Sequence, residues 1–191
     1  MRVCIYGASS DDIDRRYILA AEELGEKLAR RGHSLVFGGG ATGLMGGAAR
    51  GFKRGGGEIM GVSPRFFDVP GVLYQECTEL VYCDTMRERK QIMEDAADAF
   101  VVVPGGIGTY EEFAEILTLK QLGRHKKAIA LLNANRYYDA LELVLSLTVE
   151  RGFMKEACLG LYRAFERADD LIGYLEAYDP AQISTDGLKN I

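Results

Sequence analysis

A glycine-rich segment at residues 104–112 carries the residue types best suited to chemistry in this chain. It follows an apolar run at 99–103, which predicts a buried strand, and it precedes a helical pattern that begins near Tyr110. A turn of this kind leaves backbone N–H groups unpaired at the positive end of a helix dipole, which suits a phosphate. We therefore predict that the glycines of this turn bind a phosphate: Gly105, Gly106 and Gly108.

The carboxylate of Glu112 comes about one helical turn after the glycines, close enough to act on the group that carries the phosphate. Contact between a carboxylate and a phosphate would be repulsive, so we expect Glu112 to face a sugar instead. A purely structural alternative is a capping box, in which Thr109 caps the helix and Glu112 occupies its third position. That alternative explains Thr109 and Glu112 without a ligand, but it does not explain the glycines after a buried strand.

A second glycine-rich segment, at residues 38–43, satisfies the pattern G-x-G-x-x-G between a predicted strand and a predicted helix. Two features disfavour dinucleotide binding: the segment follows the second strand, and the next strand does not end in the acidic residue that would bind a ribose. Gly39 and Gly40 are predicted to contact a phosphate or, as an equal alternative, to permit close helix–strand packing. Ser9, after the first strand, is predicted either to donate a hydrogen bond to the ligand or to form a turn.

Two basic residues, Arg89 and Lys90, fall on the apolar stripe of a predicted helix, where Met86, Met93 and Ala97 mark the inward side. The helix dipole opposes cations near a helix start, and burial of a charge requires a partner. We predict that this partner is an anionic ligand or Glu112. In the alternative, the two side chains extend along the surface to solvent.

The elements that position these residues alternate between apolar strand-like runs and amphipathic helical stretches. This alternation predicts an α/β fold with a doubly wound, mostly parallel sheet and helices on both faces. No linker divides residues 1–191, so we expect one domain. The predicted strands are 2–7, 34–38, 58–63, 78–83, 98–103, 127–132 and 161–165, and the predicted helices are 14–31, 42–54, 85–97, 109–123, 136–151 and 167–178.

The ligand crevice of such a sheet lies beyond the carboxyl ends of the strands, where both glycine-rich segments fall. The longest irregular stretch is 64–77, which contains two prolines and a glycine. A loop of that length within a compact domain is often functional.

The composition limits the classes of partner. With a formal net charge of −5 over 191 residues, the chain lacks the basic surface that nucleic acids or anionic membranes require, so we predict neither as a partner. Its four cysteines show no C-x-x-C spacing and its two histidines are far apart, which predicts no metal site. Neither a secretory leader nor a membrane-spanning run is visible, so we expect a cytoplasmic protein.

Together these segments resemble the LOG family, the cytokinin riboside 5′-monophosphate phosphoribohydrolases, whose members are often labelled lysine decarboxylase-like. The resemblance rests on P-G-G-x-G-T-x-x-E at 104–112, M-x-x-R-K at 86–90 and G-G-G-x-x-G-L-M-G at 38–46, and it extends over nearly the whole chain. It implies a Rossmann-like fold and hydrolysis of the N-glycosidic bond of a nucleoside 5′-monophosphate to a free base and ribose 5-phosphate, with no cofactor.

The resemblance also implies roles for individual residues and an oligomeric state. Arg89 and Glu112 resemble the catalytic pair of the family, and the protein is expected to form a homodimer or a higher oligomer. Two alternatives stay open: a non-catalytic nucleotide-binding or carrier protein, and a lysine decarboxylase that uses pyridoxal phosphate. Further residues that resemble substrate contacts of the family are Lys90, Gly106, Gly108, Thr109 and Thr118.

Overall fold

The computed structural model describes residues 1–182 and residue 188, which contain seven strands and six α-helices, with one α-helix after each strand except the third. The strands are β1 (Arg2–Tyr6), β2 (Ser34–Phe37), β3 (Ile59–Pro64), β4 (Glu79–Cys83), β5 (Ala99–Val102), β6 (Ala128–Leu132) and β7 (Arg163–Phe165). The helices are α1 (Arg15–Arg30), α2 (Gly43–Gly55), α3 (Met86–Ala96), α4 (Ile107–Gln121), α5 (Asp139–Glu150) and α6 (Ala168–Ala177).

All seven strands belong to one sheet, in the order β4-β3-β2-β1-β5-β6-β7, and every pairing between neighbouring strands is parallel. The chain first builds outwards from β1 to β4 and then returns, so that β5 pairs with the other side of β1. The helices after β1 and β5 pack on opposite faces of the sheet, which opens a crevice between these two strands. The prediction of a doubly wound α/β sheet is confirmed, and its pairing is entirely parallel.

Apolar side chains cover both faces of the sheet. Along β1, Val3 and Ile5 pack into the core that α1, α2 and α6 share, whereas Cys4 and Tyr6 pack into the core that α3, α4 and α5 share. Every residue of β5 and β6 is buried, which explains why these strands have continuous apolar sequences instead of alternating ones.

Glycines let the backbones of α1 and α2 come into direct contact. A Cβ on Gly51 would lie 2.1 Å from the carbonyl oxygen of Glu22, and a Cβ on Gly25 would lie 2.4 Å from that of Ala48. Larger residues at either position would force the helices apart, at a cost typical of overpacked cores. This contact fixes α2, and with it the glycine-rich segment from which α2 begins.

Each predicted strand and helix has a counterpart in the structure, with boundaries that differ by a few residues. The difference that matters is at α4, which begins at Ile107 with Gly106 as its N-cap. Thr109 is therefore the third residue of the helix, and the capping box proposed for Thr109 and Glu112 is wrong. Helix capping therefore does not explain these two residues.

Candidate active site

A cavity of about 550 Å³ opens at the carboxyl ends of the central strands, in the crevice of the sheet. Its lining comes from both glycine-rich segments, the loop after β1, the starts of α3 and α4, and the stretch 64–77. This is the position in which doubly wound sheets bind their ligands. Another cavity, of about 570 Å³, lies near Met1 and Asp98 at the opposite ends of the strands and contains neither glycine-rich segment.

The N-terminus of α4 provides a place for an anion in the first cavity. No side chain caps this helix, and none of the described residues accepts a hydrogen bond from the N–H groups of Gly106, Ile107 or Gly108. Gly106 and Gly108 are exposed in the cavity lining, and a Cβ on either would meet nothing within 4 Å. These N–H groups and the helix dipole are together suited to bind a phosphate.

Two tyrosines after β6 hold the turn that leads into α4. The hydroxyl of Tyr137 donates to the carbonyl oxygen of Gly105 at 2.6 Å, and the hydroxyl of Tyr138 donates to that of Val103 at 2.7 Å. A Cβ on Gly105 would lie 2.1 Å from Oγ1 of Thr109, so glycine is required for Thr109 to pack against the turn. Gly105 is buried beneath the cavity, whereas Thr109 contributes to its lining.

The N-terminus of α2, which also points to the crevice, already has protein partners. The N–H of Gly43 donates to Oδ1 of Asp11 at 2.8 Å, and the N–H of Leu44 donates to the carbonyl oxygen of Ala8 at 2.9 Å. In a dinucleotide-binding fold the corresponding N–H groups bind the pyrophosphate. Residues 38–43 therefore match G-x-G-x-x-G without forming a dinucleotide site. Their position after the second strand leads to the same conclusion.

The stretch 64–77 runs beside the second glycine-rich segment. Gly40 forms an antiparallel β-bridge with Leu73, and the carbonyl oxygen of Gly39 accepts a hydrogen bond from the N–H of Tyr74 at 2.8 Å. Gly39 has a φ of 76°, in the left-handed region that glycine adopts without steric cost. Gly40 and Ser9 line the cavity and Gly39 does not, so Gly39 serves the backbone geometry of the turn.

An apolar wall faces α4 from across the crevice. It comes from the start of α2, from the stretch 64–77 and from the start of α3. Neighbouring strands are about 4.8 Å apart, so the loops beside β3 and β4 are well separated from the start of α4, which follows β5. No sequence pattern indicates this wall, although the length of the stretch 64–77 is a signal for it. Its residues are Met45, Phe67, Val72, Leu73 and Met86.

Arg89 and Glu112 meet within the cavity lining and link α3 to α4. Nη1 of Arg89 lies 3.3 Å from Oε1 of Glu112, and Nε of Arg89 donates to the carbonyl oxygen of Val62 at 3.2 Å. Only 7% of the Arg89 side chain and 12% of the Glu112 side chain are exposed. Glu112 is thus the partner of the buried arginine, one of the two possibilities predicted from the apolar stripe.

The environment of Glu112 changes its acidity. Burial raises the pKa of Glu112 from 4.5 to about 7, and the adjacent Arg89 guanidinium limits the rise because it favours the ionised form. A carboxyl group with a pKa near neutrality can accept and return a proton under ordinary conditions. This is a property that an acid–base catalyst requires.

Lys90 and Thr118 lie outside the cavity. Nζ of Lys90 forms ion pairs with the carboxylates of Glu111 and Glu115 on α4, and Thr118 is exposed further along that helix. The structure thus brings seven predicted site residues into the cavity lining: Ser9, Gly40, Arg89, Gly106, Gly108, Thr109 and Glu112. The four predicted residues that do not line it are Gly39, Lys90, Gly105 and Thr118.

None of the lysines that the structure describes lines the cavity, so these residues do not fit a pyridoxal phosphate bound as a Schiff base. Within the described residues, no three or more His, Cys, Asp or Glu side chains are grouped so as to hold a metal ion. No helix in this part of the chain is both long enough and apolar enough to cross a membrane.

Residues 45–175 match the family model described as "Possible lysine decarboxylase". The chain is 38% identical to the cytokinin riboside 5′-monophosphate phosphoribohydrolase LOG of Oryza sativa subsp. japonica, over 94% of this chain and 74% of that protein. It is 35% identical to LOG2, the enzyme of the same name from Arabidopsis thaliana, over 94% of this chain and 84% of that protein. The chain belongs to the LOG family. The resemblance inferred from the three sequence motifs is confirmed.

The fold of this LOG family member also occurs in more distant proteins. The molybdenum cofactor carrier protein of Chlamydomonas reinhardtii superimposes with a TM-score of 0.71, covers 92% of this chain and 95% of its own, and is 24% identical. The molybdenum cofactor binding protein of Rippkaea orientalis has a TM-score of 0.69 over 92% of this chain and 94% of its own, at 19% identity. These similarities confirm the Rossmann-like architecture.

Proposed function

We propose that the protein hydrolyses the N-glycosidic bond of a nucleoside 5′-monophosphate and releases a free base and ribose 5-phosphate. One observation carries the proposal: the N–H groups of α4 that have no acceptor among the described residues, the Arg89–Glu112 pair and an apolar wall share one cavity. A phosphate, a ribose and a base could occupy these three regions in that order. The names of the LOG relatives from Oryza sativa and Arabidopsis thaliana support the same reaction.

In this mechanism the 5′-phosphate binds the N–H groups of Gly106 and Gly108, and the ribose lies beside Glu112. Cleavage of a glycosidic bond develops positive charge on the anomeric carbon, which an ionised Glu112 stabilises. Glu112 accepts a proton from the water whose oxygen bonds to this carbon. The carbon–nitrogen bond breaks, its electron pair moves to the base, and the departing base takes up a proton from solvent, to which Glu112 then releases the proton that it accepted. Arg89 keeps the carboxylate in place and favours its ionised form.

The apolar wall supports a base that carries an apolar substituent, as in a cytokinin riboside 5′-monophosphate. Phe67 and Met86 line the cavity and are each 41% exposed, so their apolar surfaces are available to a ligand. Burial of such a surface contributes roughly 25 cal/mol per Å². Unsubstituted AMP would fill the phosphate and ribose regions equally well but would leave more of the wall in water.

We also propose that the protein is a homodimer in the cytoplasm. Helix α5 contains no fully buried residue, and it exposes Leu143 (60%), Val144 (56%) and Leu147 (41%). A contiguous apolar helix face of this kind is typical of a protein–protein interface. The four cysteines are free thiols, which supports a reducing compartment.

The reaction is tested by incubating the purified protein separately with AMP and with N6-isopentenyl-AMP and quantifying free base and ribose 5-phosphate. We expect equal amounts of the two products, and no release from folded Glu112→Gln or Arg89→Ala variants. Turnover that is unchanged in either variant would contradict the mechanism. Stoichiometric binding of either nucleotide without any release of base by the wild type would favour the carrier alternative instead.

A further inference from the structure

The guanidinium group of Arg89 is held by three different elements at the end of the sheet. Glu112 of α4 and the carbonyl oxygen of Val62 on β3 provide the polar contacts, at 3.3 and 3.2 Å. Gly38, directly after β2, is the third neighbour of the guanidinium group. A Cβ on this residue would lie 1.5 Å from Nη2 of Arg89 and 2.6 Å from Cζ. A side chain at residue 38 and the guanidinium group therefore cannot share this space.

Backbone geometry does not explain the glycine at residue 38. The residues with a φ in the left-handed region include Gly39 and Gly43 but not Gly38, so an alanine at 38 would suffer no backbone strain. A Cβ on Gly40, two residues further on, would meet only the flexible end of Met45, at 2.9 Å. The property that distinguishes Gly38 is the space that it leaves for Arg89.

We propose that Gly38 is a positioning residue that seats the guanidinium group of Arg89 against Glu112. Gly38, the first glycine of the G-x-G-x-x-G match, then leaves room for the Arg89–Glu112 ion pair and does not bind a phosphate. With a methyl group at residue 38, the buried guanidinium group must move, and its contacts with Glu112 and Val62 lengthen or break. The consequence for activity rests on the function proposed above, whereas the steric relation between Gly38 and Arg89 does not.

The direct test is titration of the Glu112 carboxyl group by carbon-13 NMR in the wild type, Gly38→Ala, Arg89→Ala and the double variant. An adjacent cation typically lowers the pKa of a carboxyl group by about 1 to 3 pH units. We expect Gly38→Ala to raise the pKa of Glu112 by roughly 1 pH unit or more, as Arg89→Ala does, and the double variant to match Arg89→Ala. A pKa in Gly38→Ala equal to that of the wild type would overturn the proposal, and so would additive shifts in the double variant.

Turnover of N6-isopentenyl-AMP provides the second readout. We expect Gly38→Ala to lose most of the kcat/KM that Arg89→Ala loses, and the double variant to be no slower than Arg89→Ala alone. Multiplicative losses would overturn the proposal. Absence of turnover in the wild type would contradict the proposed function, while the NMR titration would still decide the role of Gly38.

The matched control is Gly173→Ala. A Cβ on Gly173 would meet nothing within 4 Å, and this residue lies within α6, away from the cavity. We expect the control to leave both the titration of Glu112 and turnover unchanged. Thermal melting of all the variants establishes that each is folded under the assay conditions.

Discussion

Replacement of Glu112 by glutamine should make the protein more stable at pH 8 while it abolishes turnover. Burial raises the pKa of Glu112 in the folded protein from 4.5 to about 7, despite the opposing effect of Arg89. Because the folded-state pKa lies above the unfolded value, the contribution of this group to stability is fully present below pH 4.5 and is lost as the pH rises through 7. At 1.36 kcal/mol per pH unit, ionisation of this carboxyl group costs about 3 kcal/mol of unfolding free energy at pH 8.

Glutamine does not ionise, so the variant lacks this cost. Relative to the wild type, we expect its unfolding free energy to rise by up to about 3 kcal/mol between pH 4.5 and pH 8. The measurement is urea-induced unfolding, followed by circular dichroism at half-unit steps across this range. Burial and the nearby Glu115 also raise the pKa of Glu94 to about 7. Glu94 therefore adds a similar pH dependence to the stability of every variant, so only differences between variants are compared.

Glu111→Gln is the matched control, because Glu111 is the adjacent acid on α4 and its side chain is 56% exposed beside Lys90. Its stability should change with pH nearly as that of the wild type does, because burial, the largest cause of the raised pKa of Glu112, is unchanged and only the smaller contribution of the Glu111 charge is lost. If Glu112→Gln also ran parallel to the wild type, burial would not be the source of the shifted acidity and the reasoning would be refuted. A gain in stability combined with a loss of turnover would identify Glu112 as a residue retained for chemistry at the expense of stability.

Four further substitutions test other parts of the structure. Gly108→Asp should stabilise α4 by about 0.3–1 kcal/mol through the helix dipole and raise KM at least about tenfold by repelling the phosphate, as thermal melting and steady-state kinetics would measure. Phe67→Ala should lower the preference for N6-isopentenyl-AMP over AMP by about tenfold in competition assays, and an unchanged ratio would contradict the role of the apolar wall. Tyr138→Phe should lower the unfolding free energy by about 1–3 kcal/mol in urea, because it leaves the buried carbonyl group of Val103 without its donor. Val144→Asp should convert a dimer into a monomer in analytical ultracentrifugation, and a wild type that sediments as a monomer would contradict the homodimer proposal.

The order of strands and helices could be predicted because its signals are local and strong. The continuous apolar run of β5 and the glycines after it mark a buried strand that ends at a crevice. Arg89 could be identified for a similar reason: a cation on the inward stripe of a helix is costly without a partner, so its presence indicates one. The structure shows that Glu112 is this partner, with Oε1 3.3 Å from Nη1 of Arg89.

Other features depend on geometry that a sequence pattern does not record. Thr109 and Glu112 fit a capping box, but the helix starts after Gly106, three residues earlier than that pattern requires. The sequence pattern places Lys90 on the same stripe as Arg89, yet adjacent residues of a helix are about 100° apart around its axis. Lys90 consequently reaches Glu111 and Glu115 instead of the cavity.

The apolar wall was missed for a different reason. Phe67, Val72 and Leu73 come from a stretch without helical or strand periodicity, so nothing in their spacing indicates a common face. The bridge between Leu73 and Gly40 brings them to the crevice, and that contact joins residues more than 30 positions apart. Long-range pairing of this kind is not visible in a local pattern.

Two helices begin at the crevice, but Asp11 and Ala8 already bind the first N–H groups of α2, whereas those of α4 have no acceptor among the described residues. The crevice consequently has one anion-binding helix end instead of two, which would give a nucleoside monophosphate a single orientation. A nucleoside 3′,5′-bisphosphate would have to place its second phosphate without a matching helix end. We therefore expect such compounds to compete weakly with a 5′-monophosphate. The loop after β1, which contains Ala8 and Asp11, would then select ligands with one phosphate over ligands with two.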